Sequence, residues 1–415
     1  MKTLLFLFAT LTLASSAETE PLDFLPIFNG KDLTGWSGEG YKVEDGAIVS
    51  SPEGRILESD YRFANYVLDF EFLLTEGANN GLGIHYPGTG DPAYSGMELQ
   101  ILDDRARKYE DLMPYQFHGS IYSMVPAKKG ALKPLSEWNL QRVVVNGDEV
   151  KVELNGQLIT KANLSELEKE FPKHLGVRRR SGHLALCGHG DKVYFRKLRI
   201  CELPPAANSE GVRAAGFTPL SEGKGLDAWK VEPGSEGHWI NFNGIIKYDG
   251  RSTADVKDLW SKESYGDFTL VFDWRWSKKG AMKPRPVIGP DGNETGENVE
   301  VEELDSGVFL RGSSKSQVNL WNWPAGSGEV YGYRTDKNQP AEVRAAATPK
   351  TKADKPLGEW NRTMITLKGD RLTVVLNDAV VIDNAQLPGI PAEGPIAFQH
   401  HGSAIDFANV WIRED

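Results

Sequence analysis

The sequence predicts an all-β protein with two β-sandwich or jelly-roll domains in tandem. Three observations support this prediction. The 415 residues include 43 Gly and 23 Pro, a composition typical of a chain with many tight turns. Apolar residues alternate with polar ones in many short segments, as they do in half-buried strands. A set of motifs also occurs twice in the same order, which indicates duplication of one domain.

The first seventeen residues predict export. Met1-Lys2 gives a basic start, residues 4–13 are almost entirely apolar, and a run of small residues ends at Ala17. This is the pattern of a signal peptide cleaved after Ala17. We therefore expect a periplasmic or secreted protein. The apolar run, about ten residues, is too short to cross a bilayer and no later segment is long enough, so we expect no membrane insertion.

The overall charge limits the partners. A formal net charge of −11 argues against a nucleic-acid partner, because phosphate binding needs clusters of basic side chains. One basic run, Arg178-Arg179-Arg180, is local and is interpreted as a solvated loop. We expect no organic cofactor.

An internal repeat sets the domain boundaries. We expect the signal peptide at 1–17, a first sandwich at 18–203, a linker at 204–215 and a second sandwich at 216–415. The matched segments, first copy and then second, are Ile27–Trp36 with Leu220–Trp229, Tyr41–Gly46 with His238–Gly244, Gly81–His85 with Gly307–Arg311, Glu137–Asn139 with Glu359–Asn361, Leu154–Gly156 with Leu376–Asp378, and Gly188–Gly190 with His400–Gly402. The linker contains Pro204-Pro205, which cannot continue a strand.

Strands are predicted by a period of two. The alternating segments are Tyr66–Phe72, Arg142–Leu154, Phe268–Trp276 and Met364–Leu376. Gly147-Asp148 and Gly369-Asp370 interrupt two of these segments and predict hairpin turns. The clearest helical pattern is short and covers Leu164–Glu170.

The two cysteines are expected to be free. His183–Ile200 is interpreted as a hairpin that turns near Gly190. A disulfide requires Cα atoms within about 7 Å, and this hairpin would hold Cys187 and Cys201 roughly 23 Å apart at the rise of a strand. Both thiols are therefore expected to be buried and unpaired, although an exported protein favours disulfides.

Three segments resemble the 3-keto-disaccharide hydrolase family. Phe28–Trp36 resembles its N-terminal signature, Gly96–Asp103 its central acidic strand, and Gly394–Ile412 its closing strand pair. The resemblance covers nearly the whole chain after residue 17, once per copy. It implies a concanavalin A-like jelly roll in each copy and the cleavage of glycosides whose sugar is oxidised at C3.

The two copies differ where this family resemblance places polar residues. The matched pairs are Glu98 with Gln317, Gln100 with Asn319, Asp103 with Asn322, and His85 with Arg311. The second copy also has an acidic insertion, Asn298–Asp305, and holds Gly326–Glu329 and Tyr331–Arg334, two segments that look typical of one branch of the family. We expect the copies to differ in chemistry, with the first better equipped because it keeps two carboxylates where the second has amides.

A ketone at C3 makes the C2 proton of a sugar acidic. Cleavage by this route needs a base, an electrophile near the ketone oxygen and an acid for the leaving group, and a divalent metal could supply the electrophile. The candidate catalytic residues are Glu98, His118, His189, Glu329 and His401. The candidate metal ligands are Glu98, Asp103 and His118, and the candidate substrate-binding residues are Gln100, Arg311, Gln317, Asn319 and Trp321.

Strand geometry motivates the candidates in the first copy. Glu98 and Gln100 lie on one face of their strand, where His118 would add an imidazole, and Asp103 reaches them only if the chain bends. His189 and His401 lie at matching predicted hairpin tips. The alternative is that Glu98 is a solvated strand residue and that the turn histidines are structural.

Three classes of function remain open. The first is a 3-keto-glycoside hydrolase or lyase acting on an oligosaccharide or another glycoside. The second is a retaining endoglucanase, which needs two carboxylates about 5 Å apart; Glu300–Glu303 comes nearest to its strand signature but lacks the Asp. The third is a non-catalytic carbohydrate-binding module, which the amides of the second copy favour.

Overall fold

A computed structural model describes residues 23–415 except Asn208 and Lys224. The predicted signal peptide lies outside these residues. The helices are α1 (Pro92–Ser95), α2 (Leu164–Glu170), α3 (Ser209–Ala214), α4 (Tyr331–Arg334) and α5 (Ala341–Ala346). No helix in the described part of the chain is long and apolar enough to span a membrane.

Strands make up most of the regular structure in both copies. The first copy contains β1 (Leu25–Pro26), β2 (Trp36–Gly38), β3 (Tyr41–Glu44), β4 (Ala47–Ser50), β5 (Ile56–Phe63), β6 (Tyr66–Leu74), β7 (Asn79–Tyr86), β8 (Met97–Leu102), β9 (Asn139–Asn146), β10 (Glu149–Leu154), β11 (Gln157–Asn163), β12 (Gly182–Cys187) and β13 (Val193–Glu202). The second copy contains β14 (Thr218–Pro219), β15 (Trp229–Lys230), β16 (Trp239–Phe242), β17 (Ile245–Tyr248), β18 (Leu259–Ser261), β19 (Phe268–Trp276), β20 (Met282–Ile288), β21 (Glu294–Glu302), β22 (Asp305–Leu310), β23 (Ser313–Trp321), β24 (Asn361–Lys368), β25 (Arg371–Leu376), β26 (Ala379–Gln386), β27 (Ala397–Phe398) and β28 (Ile405–Glu414).

Each copy folds as two antiparallel sheets with the same strand order. In the first copy the eight-stranded sheet runs β11-β10-β9-β6-β13-β4-β3 with β1 beside β13, and the five-stranded sheet runs β2-β5-β12-β7-β8. In the second copy the corresponding orders are β26-β25-β24-β19-β28-β17-β16 with β14 beside β28, and β15-β18-β27-β22-β23. The prediction of an all-β fold with two jelly-roll sandwiches in tandem is confirmed.

The hydrophobic core of each copy lies between its two sheets. In the first copy, Leu99 and Ile101 of β8 belong to the same buried cluster as Phe70 and Phe195 of the facing sheet. Residues that alternate with them point to the opposite side of β8, yet every residue of this strand is buried. The outward-facing side chains of β8 are therefore shielded from solvent as well.

The predicted local elements are largely confirmed. The turns at Gly147-Asp148 and Gly369-Asp370 join β9 to β10 and β24 to β25. The predicted helix is α2, whose Asn163 cap accepts a hydrogen bond from the backbone N–H of Glu166. The prediction of a solvated basic run holds for Arg178, which is exposed, but not for Arg180, which donates to Asp148 at 2.7 Å and to the carbonyl of Val177.

The predicted hairpin across His183–Ile200 is wrong. The turn after β12 carries the chain from the five-stranded sheet to the eight-stranded sheet, where β13 pairs with β4 and β6. Period-two alternation is the same for a hairpin and for a crossing between sheets, so the pattern did not distinguish them. The prediction for the thiols is confirmed, since Cys187 and Cys201 are free and buried.

The acidic insertion is larger than predicted. Its residues 298–302 belong to a two-stranded ribbon of β20 and β21, in which Met282 pairs with Glu302, while Asp305 already begins β22. Glu302 accepts a hydrogen bond from Arg62 of the first copy at 2.8 Å, and the turn of the ribbon packs on the second copy, where Gly292 accepts from Arg334. The ribbon therefore contacts both copies.

Four charged side chains meet in the buried junction between the copies. Glu202 of the first copy pairs with Arg275 and with Lys247, whose Nζ is 2.7 Å from Glu202 Oε1. Asp406 accepts from the same two cations at 2.8 and 3.0 Å. Two carboxylates and two cations balance, which is the condition for keeping charges inside a protein.

Candidate functional site

Glycines on one strand make room for polar side chains on its neighbour. We call the side of each five-stranded sheet that points away from the core its outer face. On the outer face of the first copy, a Cβ added to Gly81 would lie 1.9 Å from Glu98 Oε1. On the outer face of the second copy, a Cβ added to Gly307 would lie 2.5 Å from Gln317 Nε2. Both contacts are far below van der Waals distance, so Glu98 and Gln317 fold over a glycine that no larger residue can replace without moving them.

In the first copy, Glu98 lies beside His189. Glu98 Oε1 is 3.4 Å from His189 Nε2, and the glutamate is buried while the histidine is about half exposed. The hydrogen bond to Glu98 raises the pKa of His189, burial opposes the shift, and Asp91 and Asp191 add to it. Two of the predicted catalytic residues are therefore brought together as an acid–base pair.

Gln100 does not point into open space next to this pair. Its Nε2 donates to Asn79 Oδ1 at 2.6 Å and to the carbonyl of Asn80 at 3.3 Å. The amide is therefore held by the neighbouring strand β7, and only its remaining acceptor could meet a sugar hydroxyl.

His118 does not join Glu98, contrary to the prediction. Its Nδ1 accepts from the backbone N–H of Leu102 at 3.2 Å, its Nε2 is 3.1 Å from Gln141 Oε1, and its ring stacks on Phe72. Burial lowers the pKa of His118 to about 3. The ring is therefore neutral and lies in the interior of the sandwich, where it accepts a hydrogen bond from a strand N–H. The chain turns inward at this residue before it pairs with β8.

The predicted metal ligands do not assemble. Asp103 accepts from the backbone N–H of Gly77 at 2.9 Å and from Arg105 at 3.1 Å, which ties down two loops. With His118 in the interior, Glu98 has neither of its expected partners. Between residues 23 and 415, leaving aside 208 and 224, no group of three or more His, Cys, Asp and Glu side chains is placed to hold a metal ion.

Matching backbone hydrogen bonds reveal which residues correspond after the central strand. In the first copy Gln100 bonds to Gly119 and Ser120, and in the second copy Asn319 bonds in the same way to Gly328 and Glu329. Ser120 and Glu329 are therefore equivalent, a pairing that sequence comparison had not made. Two positions earlier, Ser327 replaces His118, and its Oγ accepts from the N–H of Trp321 as His118 Nδ1 does from that of Leu102.

Glu329 is a fully buried carboxyl group in the second copy. Arg334 Nε donates to its Oε1, and its Oε2 has no partner. Burial raises the pKa of Glu329 to about 7, against the lowering effect of Arg334, and Asp305 raises it further. An arginine contact therefore fails to keep this group ionised at neutral pH, because the loss of hydration outweighs it.

Asp305 is the second acid of this cluster. Its carboxylate is 3.6 Å from His401 Nδ1. Burial raises the pKa of Asp305 to about 6, although His401 and Arg285 lower it. The second copy thus combines Glu329 and Asp305, both poised near neutral pH, with one imidazole, and carboxyl groups of this kind suit proton transfer.

The neighbouring histidine is used differently. His400 bonds through Nδ1 to the hydroxyl of Tyr248, and its backbone N–H donates to Asp258 at 2.7 Å. Burial lowers the pKa of His400. His401 therefore faces the acid cluster while His400 holds the sheet below it.

Aromatic rings line the second outer face. Trp321 stacks on Trp323 with ring centres 4.2 Å apart, and Tyr331 meets Trp321 edge-on at 6.4 Å. Arg285 of the ribbon lies over Trp323 at 4.8 Å. Tyr331 is exposed, so it offers the most accessible ring for the face of a sugar, while Trp321 forms the floor.

Amides complete the second outer face. Gln317 Nε2 donates to Gln399 Oε1 at 2.6 Å. Asn319 is paired in register with Gly307, on the same side of the sheet as Asp305 and Trp321. The predicted substrate-binding residues Gln317, Asn319 and Trp321 are therefore on one face.

Arg311 lies elsewhere, and its predicted role in substrate binding is corrected. Its guanidinium donates to the carbonyls of Gly266, Gly369 and Pro391 and to Asp267. These hydrogen bonds occupy the guanidinium donors and join loops at the end of the sandwich. Arg311 therefore cannot bind a ligand on the outer face without breaking them.

Two residues of the second site were missed. In the sequence, Asp305 ends an acidic insertion and Arg334 lies within a motif, and neither pattern predicts a role for the residue. Strand alternation predicts the position of Asp305, because it precedes Gly307 by two residues and therefore lies on the same face of the strand. No local pattern shows that Arg334 reaches back to Glu329.

The outer sheet face of the second copy thus carries acids, an imidazole, amides and stacked tryptophans, groups that suit contacts with the hydroxyls and C–H faces of a sugar. Residues 23–201 and 216–413 both match the family described as the 3-keto-alpha-glucoside-1,2-lyase-like domain. The chain belongs to this family and contains two copies of its domain. The family resemblance inferred from the sequence is confirmed.

The chain is also similar to proteins from other organisms. The chain is 27% identical over 224 residues to a 3-keto-disaccharide hydrolase of Bacteroides thetaiotaomicron, a match covering 43% of this chain and 77% of the relative. A crystal structure of a "putative glycosyl hydrolase" from Parabacteroides distasonis is 26% identical, over 43% of this chain and 98% of that one, with a TM-score of 0.40. A second such structure from the same organism is 24% identical, over 44% and 94%, with a TM-score of 0.39.

Proposed function

We propose that this protein is exported and cleaves 3-keto-glycosides by removing the C2 proton, with the reaction centre on the second outer face. The observation that carries the proposal is the cluster of Glu329, Asp305 and His401, in which two acids titrate near neutral pH. This assigns the chemistry to the copy that the sequence comparison had ranked lower.

The groups fit the three steps of an elimination. Asp305, ionised above about pH 6 and next to His401, takes the C2 proton, and the electron pair moves to the C3 oxygen as an enolate. The enolate re-forms the ketone and expels the C1 oxygen, which receives the proton of Glu329. Water then adds across C1 and C2: its hydroxyl bonds to C1, Asp305 returns its proton to C2, and the remaining proton restores Glu329.

The first copy favours a second role, carbohydrate binding without cleavage. It has a serine where the second copy has Glu329, so its Glu98–His189 pair lacks a separate buried acid. This observation supports a binding site on the first outer face and leaves cleavage to the second.

The decisive experiment compares a 3-keto-glucoside with its unoxidised parent. We expect the full-length protein to cleave only the ketone, and Glu329→Gln to lower kcat by about 10²-fold or more while Tm stays at or above that of the wild type. Glu98→Gln is the matched control from the first copy and should keep nearly full turnover.

Two results would contradict the proposal. Cleavage of the parent glucoside at a comparable rate would indicate an ordinary glycosidase. Full activity of Glu329→Gln together with loss of activity in Glu98→Gln would move the reaction to the first copy. Loss of activity on addition of EDTA, restored by a divalent metal, would instead show that a metal ion supplies the electrophile for the same reaction.

A further inference from the structure

Two adjacent cavities lie at the junction between the copies. Their volumes are about 530 and 320 Å³, within the range of small-molecule sites. Both are lined by Ser59, Asp60 and Lys278, so these side chains form their common wall. Neither is lined by Glu98 or Glu329, which separates them from both outer faces.

The larger cavity has an apolar wall supplied by both copies. Ile27, Phe28 and Tyr61 come from the first copy, and Ile240 and Tyr248 come from the second. Such a wall favours a ligand with a substantial nonpolar surface, for example the C–H face of a ring.

Each cavity also receives a buried acceptor that has no donor. In the smaller one, His183 Nδ1 bonds to the carbonyl of Ser59 at 2.6 Å, so Nδ1 carries the hydrogen and Nε2 is an acceptor. His183 is 1% exposed and its Nε2 has no partner. In the larger cavity, Asp406 is 0% exposed and its Oδ1 has no partner. Burying an acceptor without a donor is costly, so a matching ligand supplies O–H or N–H groups.

The charges around the cavities cancel one another. Glu58 pairs with Lys279 at 3.7 Å, Asp249 pairs with Arg251 at 3.9 Å, and Asp60 and Lys278 are opposite charges on the common wall. Asp406 faces Lys247 and Arg275, as already described. The positive and negative charges around the cavities balance, so the lining favours a neutral ligand over an anion or a cation.

We propose that the junction is a second ligand site, which binds a neutral polyhydroxylated molecule with one or two sugar rings. Its C–H faces pack against the wall formed by Tyr61 and Ile240, and its hydroxyl groups donate to Asp406 Oδ1 and His183 Nε2. The site exists only where the two copies meet. It does not depend on the proposed cleavage reaction, because it shares no residue with Glu329, Asp305 or His401.

Calorimetric titration of the full-length protein with maltose, cellobiose and trehalose tests this site. These disaccharides carry no ketone, so the proposed reaction leaves them intact. We expect saturable binding of at least one of them, weakened at least tenfold by Thr34→Trp, which places an indole at the lining of the larger cavity. The control is Asp227→Trp at the equivalent turn of the second copy, which does not line either cavity and should bind like the wild type.

His183→Asn tests the smaller cavity. The asparagine amide can still donate to the carbonyl of Ser59, but it removes the Nε2 acceptor, so binding should weaken while Tm changes little. The proposal is wrong if no disaccharide binds, or if Thr34→Trp and Asp227→Trp weaken binding equally. It is also wrong if binding survives Thr34→Trp and is lost in Gln317→Ala, since the sugar would then lie on the second outer face. Cleavage of the 3-keto-glucoside is unaffected by these outcomes.

Discussion

At the scale of single residues, Glu329 shows how burial sets the protonation of a carboxyl group. Arg334 donates to it directly, and such a contact lowers the pKa of an exposed carboxylate. Here the pKa is raised from 4.5 to about 7, because the side chain is fully buried and Asp305 lies nearby. The residue can therefore hold a proton at neutral pH.

The raised pKa of Glu329 predicts a pH dependence of stability. Between 4.5 and about 7 the folded state binds the proton and the unfolded state releases it, so the free energy of unfolding falls as pH rises through this range. We expect a loss of ~2–3 kcal/mol between pH 4.5 and 7.5 from this group. Thermal unfolding of Glu329→Gln should show a flatter dependence of Tm on pH; an unchanged profile would show that Glu329 is not the titrating group.

His189 in the first copy should titrate above its usual range for a separate reason. The hydrogen bond to Glu98 is the main cause of its raised pKa. In Glu98→Gln the charge is removed, so the pKa of His189 should fall, as measured by NMR titration of the ring. The control is Glu149→Gln, which removes a partly exposed carboxylate that bonds to Lys151 and Lys161 and should leave the pKa of His189 unchanged.

At the scale of elements, the close approach of glycines on β7 and β22 fixes the polar side chains on the next strand. Gly81→Ala would put a methyl group 1.9 Å from Glu98 Oε1, and Gly307→Ala would put one 2.5 Å from Gln317 Nε2. If the reaction occurs on the second outer face, Gly307→Ala should reduce turnover by at least tenfold while Gly81→Ala has little effect. The two variants are matched in position, so activity assays at equal folded concentration compare them directly.

The strand pattern was predictable from sequence, and the way the strands connect was not. Alternation in Phe268–Trp276 reports which side of a strand is buried, and the duplicated motifs show that the same sandwich occurs twice. Neither reports which sheet the next strand joins, as the misassigned hairpin after β12 shows.

The candidate site was predictable where it lies on a strand. Glu98 and Gln317 follow from period two and from the glycines that face them. The residues that follow β8 or β23 and return to pair with the edge of that strand were not predictable. Their correspondence between the two copies is visible only in the backbone hydrogen bonds. His118 was therefore placed in the site, and the equivalence of Ser120 and Glu329 was missed.

At the scale of the whole molecule, the buried charges at the junction bind the two copies into one unit. Arg275 contacts Glu202, Asp406 and the carbonyl of Arg62. Arg275→Ala would leave two carboxylates with one cation, so we expect a loss of about 3–5 kcal/mol and a split of the calorimetric transition into two. Lys350→Ala, from an exposed pair with Asp383, should cost about 1 kcal/mol or less. A single, unshifted transition in Arg275→Ala would show that the junction does not couple the copies.

The same junction makes the two copies non-interchangeable. By strand register, the positions of Arg275, Asp406 and Lys247 in the second copy correspond in the first copy to Leu73, Tyr194 and Val49. The charged docking surface therefore belongs to the second copy alone, and Glu202, which completes it, belongs to the first. A domain with the side chains of the first copy, placed second, would present uncharged groups there and leave Glu202 without a cationic partner, so the order of the two copies along the chain is specified by their contact.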